Sequence, residues 1–436
     1  MIKKYFSPIF LLVSFFIFTY VIFKSEIYWD GSKRDFYKTY FLISFILIIA
    51  AIISFYLNQR IKLYLLIVSS SVTLTLYLFE AYQILNKSNN QISLKKELYK
   101  TQTGNEFDDR SKVEFYFERK KTNGDIVLTV GPSLYLDKKD KKLFPLSGIS
   151  NANTIFCNES GQYVEYESDR YGFNNPDSEW DNSEIEFIVL GDSFAHGECV
   201  NRPHDISSVL RKLSNKNVLN LAYGGNGPLI EYATLREYLI NDVKKILFFY
   251  YEENDLSDLK NEIKSKHLNK YIENLEHSQN LKDKQNIVNN IAREMIDNQS
   301  YRNIKKINSN KEKIINFLKL YNTRNLIYPE PRLKPDENFL EIVLLINKFA
   351  KKNNAQLYFI YLPEFARYKY YYNNQNYNKI KSIIENQQIP FIDIHREVFL
   401  KEKNPLDLFP FKLNGHYNIE GYRKIAKVIY KLTKND

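Results

Sequence analysis

"IEFIVLGDSFAHGECV" (residues 185–200) decides how the rest of the chain is read. Five of its first six residues are apolar, the pattern of a strand buried on both faces of a parallel sheet. The run stops at Gly191-Asp192-Ser193, so a serine hydroxyl stands where a buried strand ends. Further along, "NVLNLA" (217–222), "KKILFFYY" (244–251), "AQLYFIYL" (355–362) and "IPFIDI" (389–394) read as four more strands. Helical spacing falls at 229–241, 336–352, 376–387 and 419–432. Strands that alternate with helices predict an α/β domain over 185–436, with a parallel sheet between two helical layers.

One block breaks the alternation. Residues 258–335 are rich in Lys and Asn, with apolar residues at helical spacing such as Ile304, Ile307, Ile314, Ile315 and Leu318. They read as a mostly helical insertion, either a lid or a purely structural excursion. Upstream, residues 86–184 read as a linker and wrapping α+β segment. Within it, 86–106 is a polar linker, and 108–121 is a helix capped by Asp108 or Asp109 and ended near Gly124. "DIVLTV" (125–130) is a strand, and 143–180 is loop-rich and wraps the domain that follows.

Three segments without charge open the chain, at 6–23, 39–57 and 63–79. Each approaches the roughly 20 residues that cross about 30 Å of hydrocarbon. Residues 1–85 are therefore expected to form three transmembrane helices, with the lipid bilayer as partner. A cleaved signal peptide fits poorly, because the run is long and two more follow. Basic residues flank both loops, so charge alone does not orient the spans. An odd number of spans places the large remainder opposite the N-terminus.

The net charge is +10 in 436 residues, but the lysines are scattered among acids and Asn as on a solvated surface. No compact basic stripe or recognised module is present, which excludes nucleic acid as a partner. With 34 Tyr and 30 Phe there is ample material for a large core. The two cysteines, Cys157 and Cys199, are either unrelated buried thiols or one disulfide closing a loop around the Ser193 segment. A disulfide would require an oxidising compartment. His204, His267, His277 and His395 lack metal-site spacing, and no metal or cofactor is expected.

In an open α/β sheet, ligands bind beyond the carboxyl ends of the strands. Four features gather at that edge: Ser193, the loop Gly224-Gly225-Asn226-Gly227-Pro228, Asn254 in "EENDL", and His416 in "NGHYN". These residue types suit acyl transfer. A serine hydroxyl needs an adjacent base, and the tetrahedral oxyanion needs preorganised donors. Each also has a plain alternative: a turn serine, a turn glycine, a helix-capping asparagine and a surface histidine.

Together the four blocks resemble the SGNH, or GDSL-type, hydrolase superfamily over about 186–432. "GDSF", "NLAYGGNGP", "EENDL" and "GHYNIEGYRKIA" are similar to its Ser, Gly, Asn and His blocks. The resemblance implies a flavodoxin-like three-layer α/β/α domain. It implies Ser193 as nucleophile, His416 as base, and Ser193, Gly225 and Asn254 as the oxyanion hole. The stretch "CNESGQYVEYESDRYGFNNPD" (157–177) is similar to bacterial membrane-anchored members, and this favours a Cys157–Cys199 pair. Two departures stand out. Glu252 occupies a position that is usually Gly. Leu413 stands where the triad acid is expected, three residues before His416. Asn414, Asp407 or a backbone carbonyl is then expected to orient the imidazole. Asp192 is expected to be structural. His196, Arg367 and Tyr368 are placed to touch substrate, the last two in an aromatic run after the fourth strand.

The reading implied is a serine esterase on the bacterial inner membrane, with its catalytic domain outside the cytoplasm. It would act on an O-acyl ester, a small molecule or an envelope or exported glycan. Two alternatives remain open: an O-acyltransferase at the same site, which would need an envelope partner protein, or a silent glycan-binding or scaffolding module.

Overall fold

The computed structural model describes residues 2–136, 143–239, 242–297, 311, 313–369, 372 and 375–434. The chain divides into two compact units. The first comprises residues 1–92 and 305–334, and the second residues 93–304 and 335–436.

In the first unit, three helices are long and apolar enough to cross a membrane: Tyr5–Tyr28, Arg34–Ser54 and Gln59–Leu85. Large apolar side chains such as Leu12, Phe16, Leu42, Ile46 and Leu74 are exposed along them, as lipid-facing surfaces require. The third helix runs on to Thr103. Residues 86–103, expected as a linker, are therefore helical, because an existing helix is extended at little cost once nucleated.

In the second unit, a small sheet is built from β1 (Ile126–Leu128), β2 (Asn153–Ile155) and β3 (Glu165–Glu167). β1 and β2 are parallel, and β2 and β3 are antiparallel. The helix before it spans Lys112–Thr122 and is capped by Ser111, whose side chain forms a capping box with Glu114. Asp108 and Asp109, the expected caps, instead pair with Arg110 and Lys96. Serine at the N-cap and glutamate three residues on satisfy two free N–H groups at once, which a lone aspartate does not.

The main sheet contains β4 (Ile185–Leu190), β5 (Val218–Asn220), β6 (Val243–Tyr251), β7 (Gln356–Leu362) and β8 (Phe391–Asp393). Every pairing is parallel, in the order β5-β4-β6-β7-β8. In order of appearance this is second-first-third-fourth-fifth, the flavodoxin-like arrangement. Alternate residues of each strand enter opposite cores. Ile188, Leu190, Ile246, Phe248, Phe359 and Tyr361 pack with the helices Pro228–Tyr238, Glu337–Lys352 and Tyr377–Asn386. Phe187, Val189, Leu247, Phe249, Tyr358 and Ile360 pack with Ile206–Ser214 and Ile419–Thr433. The fold is α/β, with a parallel sheet between two helical layers.

The segment read from sequence as a single insertion is shared between the units. Its helices Asp255–Glu262, Lys266–Glu273 and Gln285–Asp297 contribute Leu259, Leu268, Tyr271, Val288 and Ala292 to the core of the second unit. Glu237 fastens that region by accepting from Tyr271 Oη (2.6 Å) and from the N–H of Gln279 (2.6 Å) and Leu281 (2.9 Å). Residues 305–334 belong to the first unit.

Candidate active site

β4 has neighbours on both sides whose connections leave in opposite directions, so a crevice opens beyond its carboxyl end. Gly191 makes the exit from β4. A Cβ there would lie 2.6 Å from Ala195 Cβ and 2.9 Å from Phe249 Cβ, so only glycine fits. Asp192 is buried and caps the single helical turn Ser193–His196, its Oδ1 accepting from the Phe194 N–H (2.9 Å). Burial pushes the Asp192 carboxyl up to about 6. Ser193 is thereby held at the start of the turn, with its hydroxyl free to face the crevice.

His416 comes from the loop before the last helix, and its Nε2 lies 2.8 Å from Ser193 Oγ. Its Nδ1 faces Glu159 Oε1 at 3.0 Å, and its backbone N–H donates to Glu159 Oε2 (2.6 Å). With Nδ1–H given to Glu159, Nε2 is directed at Ser193. The ring packs beside Phe194, centroids 4.7 Å apart. Glu159 thus fills the place for which Asn414 and Asp407 were candidates. Asp407 pairs with Lys412 instead (2.8 Å).

Glu159 sits in the β2–β3 loop, far from the Ser block in sequence. The disulfide Cys157–Cys199, with Cα atoms 5.1 Å apart, ties this loop to the segment just after Ser193. That linkage was the signal in the sequence: a bridge at Cys157 carries a carboxylate two residues on to the site. Glu159, Cys199 and His416 also offer atoms close enough to hold a metal ion. The sulfur is already committed to the disulfide, which leaves no thiolate to ligate.

A second carboxylate was not foreseen. Glu198 Oε2 lies 3.1 Å from His416 Nε2, on the same nitrogen that faces Ser193. Burial works against the imidazolium, but hydrogen bonds to Glu159 and Glu198 outweigh it and hold the His416 pKa well above its ordinary value. Burial would likewise raise both glutamates, yet the His416 hydrogen bond and charge hold them below the carboxylate range, Glu198 at about 2.

Gly225 lies in the turn after β5 with φ +81°, and a Cβ there would meet Ser133 Oγ at 2.7 Å. The turn is fixed from below by Glu262, which accepts from the N–H groups of Gly227 (2.6 Å), Leu229 (2.9 Å) and Ile230 (3.3 Å). Asn254 follows β6. Its Nδ2 donates to Asp258 Oδ2 (2.8 Å) and reaches Asp192 Oδ2 at 3.5 Å, so the amide hydrogens face carboxylates. Around it lie Glu231, Asp255, Asp258 and Glu262, all pushed upward by burial, Asp258 to about 7 and Glu262 to about 8.

The three residues expected at substrate are engaged elsewhere. His196 is fully buried among the rings of Phe156, Tyr166 and Tyr223, and burial lowers it to about 4. It leans inward because Ala195 and His196 complete a turn that packs on the core. Arg367 grips Glu252 through both Nε (2.8 Å) and Nη2. Glu252 also accepts from Tyr361 Oη (2.7 Å) and the Glu364 N–H (2.8 Å). The unusual glutamate is thus an anchor for the loop after β7. Tyr368 stacks on Phe399 and shares a hydrogen bond with His395 Nδ1 (3.0 Å).

Comparison with protein-family models and with curated proteins finds no match. Among solved structures, the chain is similar to a lipolytic protein of the G-D-S-L family from Desulfitobacterium hafniense. The TM-score is 0.30 at 13% identity, over 58% of this chain and 99% of that one. It is also similar to protein YXIM from Bacillus subtilis, with a TM-score of 0.33 at 11% identity, over 58% of this chain and 56% of that one.

Proposed function

We propose that the chain is a membrane-anchored serine esterase of SGNH type, acting on an O-acyl ester outside the cytoplasm. The observation that carries this reading is the relay from Glu159 through both nitrogens of His416 to Ser193 Oγ, at 3.0 and 2.8 Å. Ser193 Oγ attacks the ester carbonyl while His416 Nε2 takes its proton. On this reading the Ser193 and Gly225 N–H groups receive the oxyanion, and Asn254 Nδ2 joins them by releasing one of the two carboxylates it meets, Asp258 or Asp192. The intermediate collapses, His416 returns the proton to the departing alkoxide, and an acyl-serine remains. Water, deprotonated by His416, then releases the acid and restores Ser193.

A silent module was suggested by the missing acid and by Glu252. Glu159 beside the ring and the engagement of Glu252 with Arg367 both favour an active site. The Cys157–Cys199 disulfide supports an oxidising compartment, hence a domain outside the cytoplasm. On this reading the bearer of the ester is an envelope or exported glycan of a bacterial inner-membrane system. If a sugar hydroxyl replaces water, the same steps make an O-acyltransferase, supplied with acyl groups by a partner protein.

The test is labelling of the purified protein by a fluorophosphonate, with Ser193→Ala alongside. Labelling of the wild type alone supports the reading. No Ser193-dependent labelling between pH 6 and 10 would overturn it. Assay of acetate released from envelope polysaccharide then addresses the acyl group.

A further inference from the structure

Residues 311–334 carry a composition that the proposed reaction does not use. Six residues are basic (Lys311, Lys313, Lys319, Arg324, Arg332, Lys334) against Glu312 and Glu330, and aliphatic and aromatic residues are interleaved. In the first unit, the described part of this segment folds onto one end of the three long helices. Tyr77 Oη donates to the Leu318 carbonyl (2.9 Å), and its ring meets Phe317. Glu80, fully buried, accepts from the Asn322 N–H (3.0 Å) and Nδ2 (2.9 Å), and from the Thr323 N–H and Oγ1 (both 2.8 Å). Tyr328 stacks on Phe36, centroids 4.8 Å apart, and Lys33 pairs with Glu330 (2.6 Å).

All these contacts fall near the turn at 28–34 and the Leu85 end of the third helix. Tyr28, Trp29, Tyr37 and Tyr40 gather there too, as aromatic residues do where hydrocarbon meets headgroups. Yet Ile314, Leu318, Leu326 and Ile327 point outward and are between 61% and 79% exposed. An apolar face pinned at the end of three lipid-facing helices, and flanked by cations, has the character of an interfacial element.

We infer that residues 313–327 lie in the headgroup region of the bilayer and form a fourth membrane contact, contributed from the middle of the α/β sequence. The inference rests on the membrane-anchored reading, since it takes the three helices to sit in lipid. Ile314, Leu318, Leu326 and Ile327 enter the acyl boundary. Exposed Lys313 extends toward anionic headgroups, while Lys319 and Arg324 lie over the rings of Tyr20 and Tyr40, at 5.9 and 5.7 Å. The segment belongs to the same unit as the spans and is pinned to them at Tyr77, Glu80 and Phe36, so a bilayer around the spans is the occupant nearest to its exposed apolar side chains.

The test uses the full chain in phosphatidylcholine–phosphatidylglycerol bilayers. Nitroxide labels are placed at Leu318→Cys and Ile327→Cys, with Ile46→Cys in a span and Leu400→Cys on the second unit as references. The native cysteines are joined in the disulfide and do not take label. The expected result is that residues 318 and 327 collide preferentially with oxygen over an aqueous nickel complex, as residue 46 does, and that residue 400 does the reverse. If residues 318 and 327 behave like 400 while 46 stays in lipid, this inference is overturned and the anchored reading stands. If 46 also behaves like 400, both fall.

Discussion

Two groups of carboxylates in the second unit titrate in opposite directions. Glu159 and Glu198 flank His416 and are held below the ordinary range. Glu231, Asp255, Asp258 and Glu262, with Asp192, lie around Asn254 and are pushed upward by burial and by one another. Burial opposes ionisation in both groups. The difference is a cation: the first group hydrogen-bonds an imidazolium, whereas the second meets N–H donors and the Asn254 amide, with only Asp192 feeling the His416 charge from a distance. A desolvated carboxylate stays charged where an opposite charge meets it and otherwise takes up a proton. The first group is therefore equipped to act on a base, and the second to hold a donor and a loop in place.

The largest expected effect breaks the first group. Glu159→Gln should lower kcat on the order of 10⁴-fold in an ester assay, because the ring loses the acceptor that fixes its tautomer. A loss under tenfold would remove Glu159 from the relay. Next, Asn254→Ala should cost roughly 100- to 1000-fold in kcat with KM little changed, the usual effect of losing one oxyanion donor. If KM rises and kcat holds, Asn254 binds substrate and does not stabilise the oxyanion.

Glu198→Gln should act on pH dependence more than on the plateau. His416 must be neutral to accept the serine proton, so activity rises as pH climbs through its elevated pKa. Without the Glu198 charge that limb should move to lower pH, and activity near pH 6 should increase. A pH–rate profile identical to wild type would show that Glu198 is already uncharged, and the contrast between the groups would be lost.

The smallest effect concerns stability. Glu231 has a folded pKa raised above its unfolded value, so the folded state binds the extra proton. Its contribution is favourable at low pH and is lost as pH rises from about 4.3 through the folded value. Glu231→Gln should therefore raise Tm by a few degrees at pH 8 and leave it nearly unchanged at pH 5. Equal shifts at both pH values would mean that packing, and not ionisation, sets the change.

Strand ends and the blocks that follow them could be read from the chain because they are local. "IEFIVL" is β4 without adjustment, and the helix expected at 419–432 closes one residue later. Ser193 and His416 were paired in prospect because both blocks fall at one sheet edge. Glu159 was not, because a carboxylate in a polar hairpin has no periodicity to mark it. Only the spacing from Cys157 pointed to it. Glu198 was hidden by its position in "AHGECV", where a charged residue after a turn reads as solvated. His196, expected at substrate, is buried instead, because proximity to Ser193 along the chain says nothing about which way one helical turn faces. The helix through 86–103 and the return of residues 305–334 to the first unit depend on contacts between distant segments, which residue order does not display.

The disulfide has a bearing on proteolysis. A protease that cut the chain anywhere between Ser160 and Asp192 would sever Glu159 from Ser193 along the backbone. The two pieces would still be joined at Cys157 and Cys199, with Glu159 on one and His416 on the other. A clipped chain of this kind would run as two fragments only after reduction, and until then Glu159, His416 and Ser193 would remain tethered together.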